Sequence, residues 1–336
     1  MSLRLFSEAA EEGAATFFKA PLGDVEELKE GMVAIAGVPY DLAGSTRKGA
    51  RYGPRNLREA STRYARSLEK SVSIDFATKS RVTTSEGVLQ QKVRDIGDTN
   101  MYPVDWDKMG PYLRRCMHQV ASTGALPIFA GGDHVISHPL VLGFQDTVKA
   151  RGSGRIGYIQ FSSQLDLGDE DPMWGKLWRG SVARRILESG AVRPENLVFV
   201  GTNGYIPQTQ VTMARDKSLT VYTLGQVEQR GIEVVTKEAI ACAGEGCEAI
   251  YVSIDADVID GVYVQSASDI RFQGLSVLEL ERAMQVLSES KVGALDVVGS
   301  NPVFAFASQG RTGSQWAAHL VFRFIAPRLL KISPWY

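Results

Sequence analysis

The chain has 336 residues, of which 44% are hydrophobic and 22% charged, a composition typical of globular proteins with a sizeable core. Its 37 basic and 38 acidic residues give a net charge of −1, so no overall field favours nucleic acid or an anionic membrane as a partner. The sequence contains no run of about 18 apolar residues, and we therefore expect no membrane span.

The first residues, MSLRLFSEAAEEGAATFF, include early acidic side chains and no long apolar segment, unlike a secretory signal peptide. The three cysteines, Cys116, Cys242 and Cys247, have no metal-like CxxC spacing. Inert thiols in a cytoplasmic protein are the favoured interpretation, and a small loop closed by Cys242 and Cys247 is the alternative.

Short apolar runs alternate with helical patterns along the chain. Seven runs are predicted to be strands covered on both faces, at residues 32–38, 126–130, 156–161, 197–201, 219–223, 249–255 and 294–298. Helices are predicted at residues 106–122, 180–190, 236–243 and 276–290, the last with a capping box formed by Ser276 and Glu279. This alternation predicts a three-layer α/β/α fold with a mainly parallel sheet.

Residues 70–92 are the most irregular and polar part of the chain, and we interpret them as an insertion between Ser61 and Asp95. The sequence has no internal repeat, low-complexity tract or clear linker. A single domain over residues 1–336 is therefore expected.

Aspartates follow three of the predicted strands, at the ends where parallel sheets gather their functional residues. Asp255 and Asp257 lie two residues apart, so their side chains share one face of an extended backbone. Two close carboxylates repel each other unless a cation lies between them, and a hard metal ion is the usual one. The alternative is a loop with two solvated carboxylates.

Gly131-Gly132-Asp133-His134 follows the second predicted strand, and its two glycines allow a sharp turn. Histidine is a common metal ligand, and a hydrogen bond within the turn is the alternative role for His134. The other three histidines, His118, His138 and His319, are expected to be structural.

The third strand end is Phe161-Ser162-Ser163-Gln164-Leu165-Asp166. Positions 162, 164 and 166 have the same parity, so their side chains could face one cavity. Asp166 is a strong ligand for a hard metal, whereas Ser162 and Gln164 are neutral and weak.

In their order and spacing, these three segments resemble the metal motifs of the ureohydrolase (arginase/agmatinase) family. Two further segments resemble agmatinase-like members in particular: Gly-Val-Pro-Tyr-Asp at 37–41 and Gly-Ala-Arg-Tyr-Gly-Pro-Arg-Asn-Leu-Arg at 49–58. Asp-Ile-Gly-Asp at 95–98, Asp-Val-Val at 296–298 and Asn-Pro at 301–302 extend the likeness, which spans about residues 32–324. The resemblance implies an arginase-like fold.

The resemblance also implies two manganese ions bridged by a hydroxide, which attacks a guanidinium carbon and releases urea. Matching the motifs places the six metal-ligand positions at His134, Ser162, Gln164, Asp166, Asp255 and Asp257. The family has an aspartate that bridges both metals at position 162 and a histidine at position 164. With both replaced, we expect no dinuclear manganese centre, and at most one divalent ion (Mn, Ni, Co or Zn) on the remaining ligands.

Two catalytic positions also depart from the family pattern. Arg179 stands where the resemblance implies a catalytic histidine, and arginine stays protonated near pH 7, so it cannot shuttle protons. Gly299 stands where a glutamate would pair with the guanidinium of the substrate. Arg179, with Lys176 nearby, could instead neutralise the clustered carboxylates; the alternative is that Arg179 points into solvent.

These departures leave two functions open. The first is an inactive or weakly active family member, which would partner an active paralogue or bind a small molecule. The second is an active metal-dependent hydrolase of a C–N bond in a linear amidine or amide, with one metal or an altered site. A metal-free enzyme has no visible nucleophile–base pair. The resemblance implies a homo-oligomer, a trimer or hexamer.

Overall fold

The structure is a computed structural model, and it describes residues 15–44, 48–67, 72–75, 79–84, 87–304 and 314–334. Its centre is an eight-stranded sheet in which every pairing is parallel. In chain order these strands are β1 (Val33–Val38), β4 (Val93–Asp98), β5 (Leu126–Gly131), β6 (Ile156–Phe161), β7 (Val192–Thr202), β8 (Thr220–Thr223), β9 (Ala249–Asp255) and β10 (Val292–Val298). Across the sheet the order is β4-β1-β5-β10-β9-β6-β7-β8.

A second, antiparallel sheet has three short strands in the order β11-β3-β2. They are β2 (Val72–Asp75), β3 (Ser80–Thr83) and β11 (Lys331–Pro334). The helices of the described residues are α1 (Gly53–Ser61), α2 (Arg63–Ser67), α3 (Val88–Lys92), α4 (Trp106–Ser122), α5 (Ser137–Arg151), α6 (Val182–Ser189), α7 (Gln208–Asp216), α8 (Leu224–Arg230), α9 (Ile232–Gly244), α10 (Val277–Ser288) and α11 (Gln315–Leu329).

Helices cover both faces of the large sheet. Successive strand residues point to opposite faces, so Tyr158 of β6 belongs to the apolar cluster that includes residues of α4, α5 and α6, whereas its neighbour Ile159 belongs to the cluster that includes residues of α9, α10 and α11. Each face buries its own apolar cluster, and both clusters consist of side chains with little or no exposure. The three-layer α/β/α architecture is the fold class that the sequence predicted.

All seven predicted strands are present, and the predicted helix at 106–122 coincides with α4. The capping box before α10 is also present, with Ser276 Oγ accepting from Glu279 N at 3.1 Å and Glu279 Oε2 accepting from Ser276 N at 2.8 Å. The edge strand β4 was not predicted, because Arg94, Asp95 and Asp98 interrupt its apolar pattern. Asp95 is nevertheless fully buried, because it forms a bidentate pair with Arg58.

The segment 70–92, predicted to be irregular, contains β2, β3 and α3 in its described parts. Within the described ranges, no helix has the length and apolarity needed to cross a bilayer. All three cysteines carry free thiols. The expectation of a single domain over 1–336 stays a prediction.

Candidate functional site

The predicted site residues lie at the carboxyl ends of the four central strands. β5, β10, β9 and β6 are neighbours in the sheet, so the loops that follow them meet at one edge. His134 follows β5, Gly299 follows β10, Asp255 ends β9, and Asp166 lies beyond β6. Parallel strands therefore bring together side chains that are more than 100 residues apart in sequence.

His134 is at the centre of this cluster and is 2% exposed. Its Nδ1 lies 3.3 Å from Asp166 Oδ2 and 3.1 Å from Asp255 Oδ2. Its Nε2 lies 3.2 Å from Ser253 Oγ, which donates its own hydrogen to Asp296 Oδ1 at 2.6 Å. Both ring nitrogens thus face acceptors, which is the pattern of the imidazolium form.

The carboxylate of Asp257 is occupied by hydrogen bonds from the loop after β6. Ser162 Oγ and Ser163 N each donate to its Oδ1 at 3.1 Å, and Ser163 Oγ donates to its Oδ2 at 2.6 Å. Asp257 N in turn donates to Asp255 Oδ1 at 3.0 Å. Position 162, where the family has an aspartate that bridges two metals, therefore holds a neutral donor to a neighbouring carboxylate.

Gln164 takes no comparable place in the cluster. Its backbone N donates to Ser162 Oγ at 3.1 Å, and its side-chain Nε2 is 3.5 Å from Ser163 O. A different glutamine holds Asp166: Gln160 Nε2 donates to Asp166 Oδ2 at 2.7 Å, and Gln160 Oε1 accepts from Tyr158 at 3.0 Å. Asp166 itself has a φ of 48°, in the left-handed region.

Burial dominates the electrostatics of the cluster. It raises the pKa of Asp257 to about 7, with Asp255 and Asp166 adding repulsion. It also raises the pKa of Asp133 to about 6. For His134 burial acts in the opposite direction, but hydrogen bonds to Asp166 and Asp255 outweigh it and raise the pKa well above its usual value. The same contact holds the pKa of Asp255 below its usual value despite burial.

Arg179 enters the same space from a short 3-10 turn, Arg179–Ser181, that precedes α6. Its Nη2 is 3.6 Å from Asp269 Oδ2, and its side chain is 27% exposed. With Asp133, His134 and Asp255, Arg179 lines a small pocket. Burial lowers the pKa of Arg179, but Asp269, Asp255 and Asp133 raise it further, so the residue is a permanent cation.

Gly299 has a φ of +76°, a conformation that side chains rarely adopt. A Cβ added there would lie closer than 3.0 Å to Asp255 Oδ1, nearer than real Cβ contacts come. The backbone is held in place because Gly299 N donates to Gly132 O at 2.8 Å and Gly299 O accepts from Ser268 N at 2.9 Å. In this arrangement the carboxylate of Asp255 uses the space that a side chain at position 299 would need.

These donors do not fit a pair of manganese ions. Two of the six positions are Ser162 and Gln164, and the carboxylates of Asp255 and Asp257 already accept hydrogen bonds from the protein. In the part of the chain that the structure describes, no group of three or more His, Cys, Asp or Glu side chains is arranged to hold a metal ion. A single divalent ion on the remaining ligands stays a prediction.

Several residues of the cluster were not predicted from the sequence to be ligands or catalytic residues, although Ser163 and Asp296 lie within segments that carry the family resemblance. Ser253 and Asp296 contact the His134 network, and Gln160 and Ser163 contact the aspartates. Three of the four are polar residues within otherwise apolar strands, and this is a usable signal because buried polar groups normally have a partner. The other three histidines have different surroundings: His118 contacts Thr147, His319 contacts Tyr64 and Glu281, and Nδ1 of His138 is buried without a partner among the described residues.

The comparisons with known proteins cover most of the chain. The sequence model described as "Arginase family" matches residues 32–326. Guanidinopropionase of Pseudomonas aeruginosa is 28% identical over 296 residues, which are 87% of this chain and 85% of that protein. The crystal structure of formimidoylglutamase from Bacillus subtilis aligns with a TM-score of 0.80 at 21% identity, over 97% of both chains. Trypanosoma cruzi formiminoglutamase, crystallised with Mn²⁺, aligns with a TM-score of 0.74 at 20% identity, over 92% of this chain and 96% of that one.

Proposed function

Because this chain belongs to the arginase family, we propose that it is an agmatinase- or arginase-like ureohydrolase-family protein that is inactive, or only weakly active, on guanidino compounds. The proposal rests on Ser162, which stands at the position of the family's metal-bridging aspartate. Its hydroxyl, together with that of Ser163, donates a hydrogen bond to Asp257. A serine hydroxyl cannot supply the negative charge that two divalent ions share.

Hydrolysis of a guanidinium needs an activated water, a group that holds the cation, and a group that moves protons. Metal ions, when bound, supply the first by lowering the pKa of water. The second is missing at Gly299, and a charge-assisted hydrogen bond of that kind is worth about 1.5–3 kcal/mol, roughly 10- to 150-fold in affinity. The third is missing because Arg179 only donates hydrogen bonds.

The charge of Arg179 also acts against a guanidinium substrate. The pocket is lined by Arg179 and His134 and also by the carboxylates of Asp41, Asp133 and Asp255, so a substrate guanidinium would compete there with a cation of the protein. Repulsion between like charges in a partly buried pocket is weakly screened by solvent. Arg179 therefore opposes the binding of the guanidinium end of agmatine or arginine in this pocket.

Metal content and product release test this proposal together. The purified protein is incubated with Mn²⁺, Ni²⁺, Co²⁺ or Zn²⁺, desalted, and analysed for bound metal by elemental analysis. Urea release is measured with agmatine, arginine, 3-guanidinopropionate and 4-guanidinobutyrate, and loss of the formimino group with formimidoylglutamate. We expect fewer than two metal ions per chain and no release above the rate without protein. Two bound ions with sustained urea release would refute the proposal.

The second candidate function is metal-dependent hydrolysis of a C–N bond in a linear amidine or amide with a single ion. It is favoured by the convergence of Asp166 and Asp255 on His134 Nδ1, within 3.1–3.3 Å. One equivalent of tightly bound metal, together with turnover of a neutral amide or amidine, would support this function over the first.

The assembly and location of the protein remain proposals. Arginase-family proteins are commonly oligomers. We propose a homo-oligomer, trimeric or hexameric, or association with an active paralogue, in the cytoplasm. Sedimentation or light scattering of the purified chain, alone and mixed with an active family member from the same cell, distinguishes the two assemblies.

A further inference from the structure

The carboxylates of Asp133, Asp166, Asp255, Asp257 and Asp269 form what we call the acidic cleft. We infer that the guanidinium of Arg179 is a built-in counter-cation of this cleft and takes the electrostatic role that metal ions have in a dinuclear site. This inference rests on the proposed loss of the metal pair and adds which residue replaces it. Arg179 then serves as a positioning residue for the carboxylates, with no part in chemistry on a substrate.

The cleft needs positive charge because its carboxylates are buried. Asp133, Asp166 and Asp257 are each 6–7% exposed. Charges removed from water without a partner cost several kcal/mol each, so a cluster of them needs neighbouring cations. His134 contacts Asp166 and Asp255, but it does not contact Asp133 or Asp269 in the described hydrogen-bond and ion-pair network.

Arg179 is placed to balance that remaining charge. Its Nη2 is 3.6 Å from Asp269 Oδ2, which also pairs with Arg271 Nη2 at 2.9 Å. A Cβ added at Gly44 would meet both Arg179 Cδ and Asp133 Oδ2, so the side chains of Arg179 and Asp133 flank one small space. The side chain is 73% covered, which argues against the alternative that it points into solvent. The negative charges of Asp255 and Asp133 also raise the pKa of Arg179, because they attract its guanidinium.

The backbone holds Arg179 at this position. Arg179 N donates to Ala43 O at 3.1 Å, and Gly180 O accepts from Gly168 N at 2.8 Å. These bonds join the turn to the loops after β1 and β6. The pocket beside the guanidinium is small, with room for roughly one water molecule.

Removing the charge of Arg179 tests the inference. Arg179→Met keeps the length and apolar stem of the side chain but removes the guanidinium from the cleft. The matched control is Arg184→Met, because Arg184 has the same side chain, is 26% exposed, and pairs with Asp169 and Glu188 instead of the cleft. The readouts are the thermal midpoint with and without 1 mM Mn²⁺ and the Kd for Mn²⁺ from isothermal titration.

We expect Arg179→Met to have a lower midpoint than the wild type and to recover at least about 3 °C with Mn²⁺, since a ligand of the folded state stabilises it. Its Mn²⁺ affinity should exceed that of the wild type at least tenfold. Arg184→Met and Arg179→Lys, which keep a cation in the cleft, should respond to Mn²⁺ as the wild type does. An Arg179→Met protein with the same Mn²⁺ response as Arg184→Met would overturn the inference.

A second set of variants keeps the test decisive should Arg179→Met not fold. The double variant Ser162→Asp/Gln164→His restores the two missing ligand types, and the triple variant adds Arg179→His. We expect Mn²⁺ binding in the triple variant and at least tenfold weaker binding in the double one. Two tightly bound ions in the double variant would overturn the inference. Two ions and urea release in the wild type would instead overturn the proposed function, so the two failures are distinguishable.

Discussion

Replacing Gly299 by alanine tests whether the cleft is built around the absence of a side chain at that position. Gly299 has a φ of +76°, and a Cβ there would come closer than 3.0 Å to Asp255 Oδ1. The carboxylate of Asp255 would have to move. That oxygen accepts from Asp257 N at 3.0 Å, and the other one faces His134 Nδ1 at 3.1 Å. One methyl group should therefore disturb the centre of the cluster.

The expected cost has two parts. A non-glycine residue in the left-handed region costs about 1–2 kcal/mol. Loss of one hydrogen bond to the charged carboxylate of Asp255 adds about 1.5–3 kcal/mol. Gly299→Ala should therefore lower the free energy of unfolding by about 2.5–5 kcal/mol.

The assay is urea-induced unfolding followed by the fluorescence of the five tryptophans. Gly190→Ala is the matched control, because Gly190 has a φ of +71° and no heavy atom within 4 Å of an added Cβ. The control should lose only the backbone part, about 1–2 kcal/mol. Equal losses for Gly299→Ala and Gly190→Ala would refute the argument that Asp255 occupies the space beside position 299.

Three further predictions concern the fold outside the site. Arg58→Met leaves the buried Asp95 without the guanidinium it binds at 2.8 and 3.0 Å, and urea unfolding should show a loss of about 3–5 kcal/mol. Ser276→Ala removes the N-cap of α10 and should cost about 1 kcal/mol by the same method, with Ser276→Asp close to the wild type. Hydrogen bonding to His319, together with Arg323, lowers the pKa of Glu281 below its usual 4.5. The stabilisation is therefore complete above pH 4.5 and is lost as the pH falls through the folded-state pKa, so the stability gap between the wild type and Glu281→Gln should be open at pH 7 and narrow below pH 4.5. A gap independent of pH would contradict that assignment.

Local patterns were sufficient for much of the fold. The strands covered by helices on both faces are continuous apolar runs, and the capping box at Ser276 is a four-residue signal. The edge strand β4 was missed because its stability comes from a distant partner: Arg58, on α1, neutralises Asp95 within the strand. An ion pair between residues 37 positions apart does not change the local pattern of apolar and polar side chains, so that pattern could not predict the strand.

The sequence by itself determined the family, the layered fold and the identity of the residues at the six ligand positions. These are properties of motif order, spacing and apolar runs, all of which are written along the chain. Only the tertiary structure decided that Ser163 donates a hydrogen bond to Asp257 and that Gln160, not Gln164, donates one to Asp166. It also decided that Arg179 lies inside the cleft. Those contacts join separate loops at one sheet edge, and their geometry depends on how the strands and helices pack, which no local pattern specifies.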